Sequence, residues 1–365
     1  MSGDEVLDRR ALNRALLARQ MLLRRVAMEP VEAIERLAGL QAQDPAPPFV
    51  ALWSRLDGFR REALVEAAEG RRVVRAPAMR ATLHLVTARD LVALRAPLQP
   101  ALDRAFAAVG DTGAGIDVPA VVAAAREILA EGPRPFAELR ALLSERFPDA
   151  NHRGLGYCVR THLPLVAVPA PTRWGWRPNP EFADAEAWLG EPVDPDPDPR
   201  VLVLRYLAAF GPATAADVAA WSGLPALRGV LDDLRDRLAV FRDEAGRELL
   251  DLYDAPRPDA GERAPARLLA AFDSAILGHA DRSRIVPDEH RPRLVTRNLR
   301  VPATVLVDGF VAGTWTLDVA RRAATLTITP FGRLPRGARP ALRAEAERLL
   351  RFAAEGSGTR TVEFA

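Results

Sequence analysis

The segment Glu191-Pro192-Val193-Asp194-Pro195-Asp196-Pro197-Asp198-Pro199 constrains the fold of this chain more than any other. Each proline fixes its own φ, lacks an N–H donor and pushes the residue before it into extended backbone. The intervening aspartates repel one another. No helix and no central strand can run through such a stretch, so it reads as an extended linker between separately built units. Weaker breaks lie at Gly110-Asp111-Thr112-Gly113-Ala114-Gly115 and across 255–265, which is rich in Pro, Gly and charge. With 48% hydrophobic residues over 365 positions, there is apolar material for two or three domains.

The stretch after the linker is the most legible. Apolar residues at helical spacing run over 200–210 and stop at Gly211-Pro212. Thr214 and Asp217 stand in the capping-box relation that opens a second helix through Trp221. Gly223-Leu224-Pro225 is a turn, and 226–238 reads as a third helix. Ala239-Val240-Phe241 and Leu249-Leu250-Asp251-Leu252, separated by a polar turn, read as a hairpin. Three helices followed by a two-stranded hairpin is the order of a winged helix, whose third helix is the candidate groove reader. The order recurs upstream, with helices over 119–130, 136–147 and 152–162 and hairpin arms at 165–168 and 173–176. Before that come helices over 9–25, 30–43, 49–56 and 61–69, then strands at 73–74 and 82–86. The tail differs. Residues 304–315 spell strand, Asp308-Gly309 turn, strand. Another strand at 324–329 and an amphipathic helix over 339–355 follow. The expected fold is α+β and mainly helical: tandem winged-helix units at 1–115, 116–192 and 193–258, then an α/β region at 259–365 containing the β-hairpin.

Composition removes several kinds of chemistry. All 50 basic residues are arginine. Richness in Arg, Ala, Pro and Gly without Lys is what a GC-rich coding sequence tends to produce. No lysine is available for a Schiff base or a P-loop. Contacts to an anionic partner fall to guanidinium groups, which suit bidentate phosphate and base-edge contacts. The net charge is only +2, but it is unevenly placed. Residues 181–198 hold seven acids and no base, 282–300 hold six arginines against Asp288 and Glu289, and Arg71, Arg72, Arg75 and Arg80 are close in sequence. Such patches can bind phosphates on a nearly neutral protein; any one of them reads equally as ordinary solvated charge. A single cysteine, Cys158, excludes an internal disulfide and a multi-cysteine zinc site. His152 and His162 are ten apart with no third-ligand pattern, so no metal is expected. No glycine-rich phosphate loop appears, and no cofactor is expected. Apolar runs are short and no secretory signal is visible, so a cytoplasmic protein without a membrane partner is expected.

Gln41-Ala42-Gln43-Asp44-Pro45 places two amides and a carboxylate immediately before a helix breaker, near the end of a helical pattern. Glutamine does not titrate and cannot be a general acid or base. Its amide can orient a water or ease a developing cation. That suits cleavage of an N-glycosidic bond to a base that is already cationic, such as an N3- or N7-alkylated purine, which leaves without protonation. Taken by itself, the cluster reads more readily as a polar helix end without a role. Trp53, Trp174 and Trp176 read as core aromatics rather than base-stacking platforms.

The chain resembles the AlkZ/YcaQ family of winged-helix DNA glycosylases. The resemblance is carried by Gly39-Leu40-Gln41-Ala42-Gln43-Asp44, Ala51-Leu52-Trp53-Ser54-Arg55-Leu56, Met79-Arg80-Ala81-Thr82-Leu83-His84-Leu85-Val86, Ala271-Phe272-Asp273-Ser274-Ala275-Ile276-Leu277-Gly278 with Asp281-Arg282, and 302–315. It implies tandem winged helices around a DNA-binding channel and a catalytic Gln-x-Gln at Gln41 and Gln43, as in the AlkZ-like branch. The implied activity is excision of alkylated purines, with interstrand crosslinks accepted by some members. A monofunctional hydrolase agrees with the missing lysine. Arg80, Thr82 and His84 alternate with apolar neighbours and form a polar strand face. With Asp273, Asp281, Arg282 and Arg284, they are the expected DNA-binding or site-lining residues, against the alternatives of structural hydrogen bonding and mutual ion pairing. The expected partner is double-stranded DNA carrying alkylation lesions, bound by a monomer. The rival readings are a non-catalytic winged-helix DNA-binding protein or transcriptional regulator, and an adaptor with no nucleic-acid role.

Overall fold

The computed structural model describes residues 5–225, 227–294 and 301–365. The fold is a mixed α/β architecture, 44% helical and 19% strand. Three sheets organise it: a six-stranded sheet in the first half of the chain, a three-stranded sheet beyond the linker, and a five-stranded sheet in the tail.

The six-stranded sheet joins segments on both sides of the glycine-rich break at 110–115. Its N-terminal part is Leu40–Gln41, Leu83–Thr87 and Val73–Pro77, in that spatial order. It continues through the pairing of Arg75 with Ala167 into Leu165–Ala167, Glu181–Asp184 and Arg134–Pro135. The helices Val118–Ala130, Phe136–Arg146 and His152–His162 pack together beside it. The strand expected at 173–176 is a turn instead. Pro169 and Pro171 withhold donors there and Gly175 has φ +70°. Glu181–Asp184 takes the place of that arm. Trp176 is buried with its ring N–H on the Ala167 carbonyl, and Trp174 packs on Phe49.

Beyond the linker, helices Arg200–Phe210 and Ala215–Ser222 form where the sequence places them. The reciprocal Thr214–Asp217 capping box is present. The third helix is short: Arg228–Asp233 is α-helical and Arg235–Arg237 is a 3₁₀ turn, with Leu234 between them; Ala226 lies outside the described residues. The hairpin Leu238–Asp243 with Glu248–Leu252 follows, extended by Val6–Leu7 in parallel. The N-terminal helix ends at Arg19 rather than Arg25 and packs on Arg200–Phe210.

In the tail, the strands Thr304–Val307 and Phe310–Val319 flank the Asp308-Gly309 turn, both turn residues having positive φ as a tight hairpin requires. Arg267–Leu269, Ala323–Pro330 and Thr359–Phe364 complete the sheet, and helix Ala338–Ala353 packs against it. Buried ion pairs tie the units together. Arg19 meets Asp251 through two nitrogens, each at 2.7 Å, and Arg25 meets Glu345 at 2.6 Å.

Candidate active site

The helix that opens with Pro30 closes at Arg36, seven residues before the point the sequence pattern suggests. Ala38 and Gly39 both take positive φ, and their N–H groups return to the carbonyls of Glu35 and Ile34. This caps the helix and turns the chain sharply. Only glycine fits at 39: its φ is +91°, and a Cβ would lie 3.0 Å from a Val86 methyl and 3.2 Å from the Leu85 carbonyl. Gln41 therefore sits on a strand and not at a helix end. Leu40 pairs with Leu85, Gln41 pairs with His84, and the Ala42 N–H donates to the Leu83 carbonyl at 2.7 Å. Residues directly opposite on paired strands face the same side, so Gln41 and His84 share one face.

Two arginines of the adjoining hairpin hold the motif. Arg75 is buried in the strand Val73–Pro77, and its guanidinium donates to the backbone carbonyls of Ala42 at 2.8 Å and Gln43 at 2.9 Å. Arg80 donates through one nitrogen to Gln41 Oε1 at 3.0 Å and through another to the Trp221 carbonyl. A guanidinium only donates, so this contact settles the Gln41 amide: oxygen toward Arg80, with Nε2 and the second oxygen lone pair without a hydrogen-bond partner among the described residues. Gln43 is exposed, and its Oε1 accepts from the Leu83 N–H at 3.4 Å. Burial, joined at Arg80 by the charge of Arg282, lowers the pKa of both arginines to about 10, yet both stay cationic at neutral pH.

Arg80 and Ala81 are consecutive non-glycine residues in the left-handed region, at φ +54° and +55°. Such residues cost on the order of 1–3 kcal/mol each and persist only where the surroundings impose them. Here Gly223 presses on the Arg80 backbone, where a Cβ would lie 3.2 Å from its Cα, and Arg160 donates to the Ala81 carbonyl at 3.4 Å.

His84 is fully buried. Burial and the neighbouring Arg80 push its pKa down to about 3, so the ring is neutral. Its Nδ1 is 3.0 Å from the Thr82 carbonyl and so carries the proton; Thr82 Oγ1 donates to the Met79 carbonyl at 3.1 Å. The pair can offer hydrogen bonds but no proton transfer near neutral pH. Asp44 is exposed beside the motif.

The later candidates separate. Arg282 is half-buried near Arg80 and makes no ion pair among the described residues. Asp281 caps the turn at Ser283 and pairs with Arg247 at 2.8 Å; burial raises its pKa, but these partners outweigh it and hold it at about 2. Arg284 is buried and donates to the Pro212 carbonyl at 2.8 Å. Asp273 is buried against Arg55 and caps the turn at Ala275. Gln41, Gln43, Arg80, Thr82, His84 and Arg282 thus form one neighbourhood, whereas Asp273, Asp281 and Arg284 are engaged with other partners, in ion pairs, caps and a backbone contact. Arg297 and Arg300 of the basic run lie outside the described residues. Among the described residues, no three His, Cys, Asp or Glu side chains converge as a metal site, and no helix is long and apolar enough to cross a membrane. Arg75 was legible only as one of several clustered arginines; its sequence signal is a charge inside the apolar strand Val73-Val74-Arg75-Ala76-Pro77.

The chain is similar to a protein named interstrand DNA cross-link repair glycosylase from Streptomyces sahachiroi, at 30% identity over 151 residues; the alignment spans 39% of this chain and 39% of that relative's length. The solved structure of Streptomyces sahachiroi DNA glycosylase AlkZ superposes with a TM-score of 0.80 at 23% identity, covering 99% of this chain and 100% of that one, and so shares its fold. A profile of the family described as DNA glycosylase AlkZ-like matches residues 34–352, from within the helix Pro30–Arg36 to the last helix, and the chain belongs to that family.

Proposed function

We propose that this protein is a monofunctional DNA glycosylase that hydrolyses the N-glycosidic bond of alkylated purines, including bulky or crosslinked N3- and N7-substituted bases. The observation that carries the reading is the held pair Gln41 and Gln43, whose backbone is cradled by Arg75 and whose first amide is oriented by Arg80. The neighbourhood offers oriented amides, a hydroxyl and a neutral imidazole. An N7-alkylated purine needs no proton to depart, because its positive charge becomes a neutral base as the bond breaks. What remains is to place water against C1′ and to ease the oxocarbenium charge, which fixed dipoles do without reorganising. In this reading Gln41 accepts from the water with its free lone pair, and Gln43 completes the cradle from the exposed side. Arg80 and Arg282 draw the anionic strand toward the motif. The protein acts in the cytoplasm as a monomer on double-stranded DNA. Its helical repeats are read as three winged-helix units, 1–115, 116–192 and 193–258, the first two sharing the six-stranded sheet, followed by the 259–365 region.

The test is release of N7-methylguanine from methylated duplex by the wild type and by Gln41→Ala/Gln43→Ala. The wild type is expected to release base and the double variant to lose most of that activity while still binding DNA. Absence of release from every alkylated duplex tried would return the chain to the rival reading, a DNA-binding protein without chemistry.

A further inference from the structure

The groove reader that the sequence suggests, 226–238, falls on the helix Arg228–Asp233 and the turn Arg235–Arg237. Its exposed side chains set Asp232, Asp233 and Asp236 against Arg228, Arg235 and Arg237, and Arg235 is engaged by Glu248 at 2.7 Å. Such a face has no excess of positive charge for a phosphate backbone. The corresponding helix of the preceding unit, His152–His162, differs. It contains no acid, and Arg153, Tyr157 and Arg160 recur at i, i+4 and i+7, on one face. Arg153 is exposed, and Tyr157 is one of five large apolar side chains left exposed among the described residues. Neither Arg153 nor Arg160 has an ion pair among the described residues. Carboxylates on adjoining segments include Asp103, 3.3 Å from His162, Asp111 on the turn Gly110–Gly113 and Asp117, whose charge acts on Cys158.

The same helix is coupled to the glutamine motif by short contacts. Arg160 donates to the Ala81 carbonyl at 3.4 Å, and the next residue back, Arg80, donates to Gln41 at 3.0 Å. The helix is also packed rigidly from behind. A Cβ on Gly154 would fall 1.9 Å from the Thr112 carbonyl oxygen, and one on Gly156 would fall 3.2 Å from Arg140, so the two glycines let it settle closely onto its neighbours.

We infer that the face Arg153–Tyr157–Arg160 is the element that seats the DNA backbone beside Gln41, and that Arg228–Asp233 does not bind the duplex. The partner is the phosphodiester backbone of a duplex, met by the Arg153 guanidinium and the Tyr157 hydroxyl, while Arg160 ties the same face to the Arg80-Ala81 turn. This rests on DNA being the substrate, as proposed above, but not on any base being excised. Its test therefore uses undamaged DNA.

Binding of the full chain to an unmodified, fluorescently labelled duplex is measured by anisotropy across a salt series. The variants are Arg153→Ala, Arg153→Glu, Tyr157→Ala and Arg228→Ala, each checked by thermal melting. Arg153→Ala is expected to weaken binding and to flatten the plot of log affinity against log salt by about 1. Arg153→Glu should weaken it more, Tyr157→Ala should weaken it with little change in slope, and Arg228→Ala should leave both unchanged. Wild-type affinity and slope in both Arg153 variants, or a loss confined to Arg228→Ala, overturns the assignment. Binding lost in the Arg153 and Tyr157 variants supports it even if no lesion is ever released.

Discussion

Both carboxylate oxygens of Asp273 receive nitrogens of Arg55, at 2.7 and 2.9 Å, and neither side chain has any exposure to solvent. Arg55 also donates to the Ala51 carbonyl and to Gln20. The pair joins the helix Pro47–Arg55, which follows the glutamine motif, to the turn Ser274–Leu277 in the tail. Removing one partner strands the other charge in a dry environment, at a cost of about 3–5 kcal/mol. Asp273→Ala is expected to lower stability in urea by that order. Retention of wild-type stability by this variant would show that Asp273 faces solvent or substrate instead.

Gly39→Ala tests the turn that delivers Gln41. The added Cβ meets Val86 and the Leu85 carbonyl, and the φ of +91° is unfavourable for alanine. Destabilisation of roughly 1–3 kcal/mol is expected. Base release should fall as well, because the strand Leu40–Gln41 is set by this turn. Folding and release both matching the wild type would contradict the geometry.

Arg80→Ala tests the orientation of the Gln41 amide. A hydrogen bond to a charged group contributes about 1.5–3 kcal/mol, so the single-turnover rate of N7-methylguanine release should drop roughly 10–100-fold. Arg80→Lys keeps the charge but not the two-pronged geometry, and should recover phosphate attraction, seen as tighter DNA binding than Arg80→Ala, without recovering the rate. Equal recovery of both would make Arg80 a phosphate contact only.

Acid sensitivity follows from His84. Its folded pKa is about 3, against an ordinary value near 6.5 in the unfolded chain. Above 6.5 both states are neutral and the full stability is present. Between 6.5 and 3 the unfolded state takes a proton that the folded state refuses, so stability falls by up to about 1.4 kcal/mol per pH unit as the pH drops. His279, with its pKa also pushed down to about 3 by burial and Arg284, acts in the same direction. Urea midpoints collected from pH 7 to pH 4 should decline for the wild type and decline less steeply for His84→Asn. Parallel curves would show that His84 is not buried neutral.

Local signals in the sequence determined much of the secondary structure. The helix over 200–210, the capping box at Thr214 and Asp217, the helix over 152–162 and the Asp308-Gly309 turn all stand where residue pattern and turn chemistry put them. These depend on interactions within a few residues, which a linear reading sees. Gln41 and Gln43 were legible as polar oddities, and the family resemblance assigned them a role. Their setting was not legible. Periodicity alone continues the second helix to Gln43, because nothing local announces that Gly39 must lie against Val86 and turn into a strand. Arg173–Trp176 alternates like a strand, but Glu181–Asp184 fills that place in the sheet. Arg75 reaches the motif across 32 residues of chain, and Arg160 and the Trp221 carbonyl reach the Arg80-Ala81 turn across 79 and 141. The sequence by itself determined which elements form and which amides are available. Only the tertiary structure decided which way the Gln41 amide faces and which charges surround it, because burial and non-local hydrogen bonding exist only once the chain has closed on itself.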